Sequence, residues 1–238
     1  EYTHGKTLDE LFDNLNCTII EPLHLAVSLR SFRSENVAGF VKALLDADVT
    51  RAKTLYDSLH NDYPIIFTRD LALAKRWIRW QAKGTERYGI IASSGAKRLR
   101  SLGVWVRSQS DNVAQWFLND AADIRSSYFL EDTATEFDIQ GLELDWTIMC
   151  WDANLRFVDG KFAHYKFQGS KWMTIHKEED ILYLKNAYRV LLTRARQGMI
   201  IYLPHGSDID PTRPHEFYDG VYEYLKESIG IRELLREN

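Results

Sequence analysis

Glu178-Glu179-Asp180-Ile181-Leu182-Tyr183-Leu184-Lys185-Asn186-Ala187-Tyr188-Arg189-Val190-Leu191-Leu192-Thr193-Arg194-Ala195-Arg196-Gln197-Gly198-Met199-Ile200-Ile201-Tyr202-Leu203 carries both periods of an α/β protein in one run. Ile181, Leu184, Tyr188, Leu191 and Ala195 recur at helical spacing and set one apolar stripe against a core. Glu178 marks a helix start, so the pattern predicts a helix over 178–196. Gly198 is expected to stop it before a short apolar strand at 199–203.

Working outward, the same alternation repeats. Short apolar runs at 17–20, 64–68, 88–92, 127–130 and 146–151 read as further strands. Helix-period segments at 7–14, 34–46, 49–61, 70–83, 96–101, 113–119 and 214–228 lie between or beside them, with Asp70 placed as an N-cap. Such alternation predicts a mostly parallel sheet with helices on both faces. Residues 152–175 differ: they are poor in aliphatics and rich in aromatics, with Gly160 and Gly169 as turn points, and read as a β-hairpin-like insertion.

Composition narrows the function classes. Hydrophobic residues at 45% and charged residues at 27% fit a globular chain with a real core, not a disordered or fibrous one. A net charge of −4 excludes a general polycation, so any nucleic-acid contact has to come from a local basic face. Cys17 and Cys150 lie far apart without metal-ligand spacing and read as buried thiols in a reducing, cytoplasmic compartment. No apolar run approaches the roughly 20 residues that span a bilayer, and no membrane partner is expected. His164, His176, His205 and His215 have no ligand spacing, so no metal site is expected.

Two segments carry chemistry. Arg189, Arg194 and Arg196 sit where a helix meets a strand; they place guanidinium groups at a sheet edge, or else only complement the helix dipole. Thr135-Glu136-Phe137-Asp138-Ile139-Gln140-Gly141-Leu142-Glu143-Leu144-Asp145 is a polar turn before a strand, the kind of loop at which α/β sheets bind ligands, or else a plain connection. Gly141 allows close backbone approach there.

Taken together, the two segments resemble the last two motifs of superfamily 1 helicases. Thr135, Gln140, Gly141 and Glu143 match a Thr-x-His-x-x-(Lys/Gln)-Gly-x-Glu segment, and Leu192, Thr193, Arg194 and Ala195 match a helix ending in Ala-Leu-Thr-Arg-Ala. Phe137 stands where the family has His, and Leu191 where it has a small residue. Leu29-Arg30-Ser31-Phe32-Arg33-Ser34 is similar to the family's Leu-x-x-Asn-Tyr-Arg-Ser, with Ser31 for Asn and Phe32 for Tyr. Tyr88-Gly89-Ile90-Ile91-Ala92-Ser93-Ser94 looks like the strand and loop that open the family's second RecA-like lobe. The wording of these segments is most similar to bacterial helicase-like proteins related to the Schlafen group.

The resemblance implies a RecA-like second lobe over 21–238, with 1–20 a remnant of the linker from an N-terminal P-loop lobe. Glu1 in place of Met is expected to mark an excised piece that is inactive alone. ATP with Mg²⁺ would be bound mainly by the other lobe. Arg33 and Arg194 would reach the triphosphate, because a permanently charged planar guanidinium suits phosphate geometry. Gln140, Gly141 and Glu143 would line the nucleotide, with Glu143 toward the sugar. Single-stranded DNA or RNA would meet Thr135, Ser93, Lys97 and Arg98.

Gly5-Lys6-Thr7 is not expected to be a P-loop, since four residues precede Gly5 and no strand does. The helix at 70–83 carries Lys75, Arg76, Arg79 and Lys83 beside Trp77 and Trp80; it reads either as a stacking surface for single strands or as a solvated face with core tryptophans. Two rival functions stay open. One is a catalytically degenerate module that only binds nucleic acid or a protein. The other is a stand-alone small-molecule enzyme, weakened by the lack of a Gly-x-Ser-x-Gly or Gly-x-Gly-x-x-Gly motif.

Overall fold

The structure, a computed structural model, describes residues 32–106 and 113–236, with residues 32–34 as backbone alone. The helix and strand expected at 7–14 and 17–20 lie outside the described residues. The elements run α1 (Phe32–Leu45), α2 (Val49–Leu59), β1 (Ile65–Thr68), α3 (Leu71–Gln81), β2 (Tyr88–Ala92), a 3-10 helix (Lys97–Leu102), β3 (Trp105–Val106) and α4 (Val113–Leu118). After a 3-10 turn (Ser127–Phe129) come β4 (Asp132–Ala134), β5 (Leu144–Cys150), β6 (Leu155–Val158), β7 (Lys161–Gln168), β8 (Lys171–Thr174) and α5 (Glu178–Leu192). The chain closes with β9 (Ala195–Tyr202), α6 (Glu216–Glu223), a π-helix (Tyr224–Ile229) and β10 (Arg232–Glu233).

Among the described residues seven strands form one sheet in the order β10-β1-β9-β5-β2-β4-β3, every pairing parallel. Alternate residues of each strand feed opposite layers, as the pleat requires. Ile65, Phe67, Met149, Met199 and Ile201 join the core under α1, α2, α5, α6 and the π-helix. Ile66, Ile148, Ile200 and Tyr202 join a second core under α3 and the 3-10 helix. Both faces are covered, so the middle of the central strands is mostly apolar and β5 is buried at all seven positions, with Asp145, Arg196 and Gln197 at the strand starts. This is the expected α/β, RecA-like architecture.

Residues 155–174 form the small β insertion as a separate three-stranded antiparallel sheet. Val158 pairs with Lys161 across Asp159 and Gly160, both at positive φ (51° and 76°), a two-residue turn whose twist suits a hairpin. Arg156 pins this sheet down. Its guanidinium lies 3.9 Å from the centroid of Tyr165 and 3.2 Å from that of Phe217, and its Nε donates to Ala153 O. Burial pulls that guanidinium down to about 10.

Two expected boundaries are corrected. The strand predicted at 127–130 is a 3-10 turn: Ser126 Oγ accepts from Tyr128 N at 3.5 Å, and Leu130 takes a φ of 60°. The strand itself follows at β4, paired between β2 and β3. The helix predicted to reach 196 stops at Leu192: Thr193 leaves the helical conformation (φ −113°, ψ 9°) while its Oγ1 donates back to Arg189 O and Val190 O. Ala195 is buried as the first residue of β9, opposite Leu144, not as a last helical stripe position. Gly198 lies inside that strand and stops nothing; a Cβ there would sit 2.7 Å from Trp146 and 2.8 Å from Pro64.

Candidate functional sites at the two ends of the sheet

A wholly parallel sheet has one end where strands begin and another where they finish, and the expected site residues divide between them. At the amino end, Leu144 N donates to Arg194 O at 3.1 Å, so Glu143 and Arg194, the residues just before β5 and β9, are brought together along the backbone. Sequence distance alone does not bring residue 143 to residue 194; the β5–β9 ladder does. Gln140, Gly141 and Glu143 are exposed in the loop entering β5. Gly141 has a φ of 79°, a conformation that a side chain would strain, and the space beyond its Cα is empty to 4 Å. Arg194 is half-buried, its Nε donating to Val190 O at 3.2 Å, and neither it nor Glu143 is without a partner.

The rest of that end is a rigid lattice. Asp145 accepts from Arg87 N and from Arg196 Nη2, each at 2.7 Å. Glu86 accepts from Trp146 Nε1 at 3.0 Å and from Gln197 Nε2 at 2.7 Å. Three strand starts are thereby tied together, and Arg196 serves this lattice. Helices α1 and α2 form a hairpin across residues 46–48, and α2 leads to Tyr63, whose hydroxyl donates to Ala195 O at 3.0 Å. The first turn of α1, which carries Arg33, therefore starts toward the amino end; the Arg33 side chain lies outside the described residues.

At the carboxyl end, β2 and β4 deliver Ser93 and Thr135. Thr135 is buried, and both its amide and its hydroxyl donate to Asp138 Oδ2 (2.7 and 2.8 Å), so it builds the turn that follows β4. Glu136 accepts from Ser94 N and Ser94 Oγ, both at 2.7 Å, and locks that turn to the loop after β2. Ser93 Oγ accepts from Gly95 N and from Asn154 Nδ2, both at 3.2 Å, and Asn154 Oδ1 accepts from Tyr188 Oη at 2.6 Å. Lys97 is exposed. Arg98 is committed elsewhere: it pairs with Asp210 at 2.7 Å and lies over the Phe167 ring. Beneath them Asp152 is fully buried, and burial pushes its carboxyl up to about 6.

Ser93, Ser94, Lys97, Glu136 and Asn154 line a cleft of about 350 Å³ between the sheet end, the small antiparallel sheet and α5, whereas Thr135, Arg98 and Asp152 do not line it. Of the residues expected to meet a strand, Ser93 and Lys97 line this cleft; Phe137, noted in the sequence only as a departure from the family's His, and Asn154, Lys166 and Tyr183, on elements far apart in the chain, line it as well. The signal for Tyr183 was its place off the apolar stripe of α5. Of the tryptophans expected on α3, Trp77 is in the core, edge-on to Trp146, while Trp80 is 80% exposed. Among the described residues, no group of three or more His, Cys, Asp or Glu is placed to hold a metal ion, and no helix is long and apolar enough to cross a membrane.

The parallel sheet with helices on both faces defines the class as RecA-like α/β, and the chain's family makes the domain helicase-like. The model for the Schlafen group 3, DNA/RNA helicase domain matches residues 1–205, and the chain belongs to that family. No match was found among curated proteins or among solved structures.

Proposed function

We propose that the chain is the second RecA-like lobe of an ATP-dependent nucleic-acid helicase or translocase of the superfamily 1 kind. Its amino end faces a triphosphate held by a P-loop lobe, and its carboxyl end faces a single strand of DNA or RNA. The observation that carries this reading is the Leu144–Arg194 backbone bond. It sets the loop bearing Gln140, Gly141 and Glu143 against the residue that the helicase resemblance assigns to phosphate.

The donor set fits a nucleotide. Gly141 leaves room for close backbone approach, exposed Gln140 and Glu143 offer hydrogen-bonding groups, and Arg194 offers a guanidinium at the same edge. Hydrolysis needs charge neutralised on the γ-phosphoryl oxygens as they separate from the leaving group. Arg194, and Arg33 from the start of α1, would do this on lobe closure. Mg²⁺ would be held by the other lobe and by phosphate oxygens. Ser93, Thr135, Lys97 and Arg98 divide at the opposite end: Lys97 would attract strand phosphates, while Thr135 and Arg98 hold the loops in shape.

The test is Arg194→Ala in the protein joined to its P-loop lobe, assayed for strand-stimulated ATP turnover. Loss of an arginine that stabilises transition-state charge lowers turnover by about 10³-fold or more. Turnover near that of the parent would overturn the assignment.

A further inference from the structure

We propose that the cleft between the sheet end and the small antiparallel sheet takes one unstacked nucleobase of a single strand, held between the rings of Phe137 and Tyr183. This deepens the nucleic-acid part of the function proposed above and rests on it.

Phe137 is 52% exposed and Tyr183 is 63% exposed, yet they come from different elements and line the same cleft. Two large rings left open to water beside one cavity form a stacking surface, since an aromatic face is compatible with any base. Phe137 also stands where the superfamily 1 pattern has His, so a ring without hydrogen-bonding groups occupies the cleft wall. At about 350 Å³ the cleft is at the small end of ligand sites, a volume suited to a single nucleotide unit and too small to enclose a duplex.

The cleft floor is already hydrogen-bonded. Ser93 Oγ and Asn154 Oδ1 accept from Gly95, Asn154 and Tyr188, and Ser94 is spent on Glu136. Stacking on Phe137 and Tyr183 is compatible with any base, so the presence of a base is expected to matter more than its identity. Lys97 and Lys166 supply cations on two walls, against Asp180 at the start of α5 and a Glu136 already engaged by Ser94. The cations suit the phosphates flanking an inserted base, and Asp180 works against them.

The experiment uses the 238-residue chain, fluorescein-labelled (dT)₂₀ and (rU)₂₀, and an abasic strand of the same length, read by anisotropy. Phe137→Ala with Tyr183→Ala, both on exposed positions, should weaken binding of (dT)₂₀ and (rU)₂₀ about tenfold or more while leaving abasic binding as in the parent. Lys97→Gln with Lys166→Gln should weaken all three. Thermal melting of each variant checks that the fold is kept. If the parent binds the strands and the ring variant binds them equally well, base capture is refuted while the nucleic-acid reading stands. If the parent binds no strand, both fail.

Discussion

Asp152 shows what one buried residue at the carboxyl end does to the whole chain. Its carboxylate accepts from Ala153 N at 2.8 Å, Tyr218 Oη at 3.0 Å and Arg98 N at 3.3 Å, yet burial outweighs these donors and pushes it up to about 6. An unfolded aspartate titrates near 3.9, so the native state holds this proton more tightly. Below about pH 4 both states are protonated and ionisation costs nothing; between about pH 4 and 6 only the unfolded chain ionises, and stability falls as pH rises. Two pKa units correspond to roughly 3 kcal/mol once the pH is above 6. His164 and His205, both pushed down chiefly by burial, act oppositely in part of that range, since they favour folding at higher pH. The comparison that isolates Asp152 is therefore parent against Asp152→Asn. Between pH 5 and 7.5 the parent should lose about 1 kcal/mol relative to the variant in urea unfolding. Equal pH profiles would show that this carboxyl does not titrate in the interval.

At the scale of elements, the small antiparallel sheet stays in place through backbone proximity as much as through its aromatics. A Cβ on Gly220 of α6 would overlap the Phe157 carbonyl oxygen of β6. Phe157 itself stacks on Tyr224 with centroids 4.0 Å apart, and Tyr224 Oη donates to Leu44 O of α1. Gly220→Ala should force α6 and β6 apart and cost about 1–3 kcal/mol or more. Amide exchange should rise across residues 155–174 before it rises in the central strands; an exchange pattern like the parent's would mean that this contact does not hold the small sheet.

Much of this element list was legible in the sequence. β2 falls where its apolar run ends at both sides, and Asp70 caps α3 by accepting from Leu73 N at 3.1 Å. The strand expected at 127–130 and the last stripe position of the helix expected at 178–196 differ from the structure for one physical reason: apolar content marks both places, but hydrogen bonds decide them. Tyr128-Phe129-Leu130 is apolar but capped into a turn by Ser126, while the real strand, Asp132–Ala134, carries only short or polar side chains. Ala195 fits a helical period but is buried by ladder pairing after Thr193 has ended α5. The candidate sites divide likewise: the motif residues at each sheet end could be read locally, but the cleft wall from β7 and α5 could not.

The whole molecule separates its two proposed tasks by the length of its central strands. Seven residues of β5 span roughly 20 Å between the Glu143–Arg194 edge and the loops that carry Ser93 and Lys97. Salt shortens the reach of exposed charges to about 8–10 Å, so an arginine at one end does not act electrostatically on a strand at the other. A net charge of −4 provides no general attraction for nucleic acid, which leaves strand binding to local cations such as Lys97 and Lys166. Substitutions at the two ends should therefore be independent in strand binding without nucleotide. Lys97→Gln should weaken binding and lower the slope of log K against log salt by about 1, the signature of one lost phosphate contact. Arg194→Ala should bind (dT)₂₀ like the parent across the same salt series, and the double variant should match Lys97→Gln alone, as sites this far apart add without coupling. If Arg194→Ala lowers both affinity and salt slope as Lys97→Gln does, the strand crosses the amino end, and the division of labour between the two ends of the sheet is wrong.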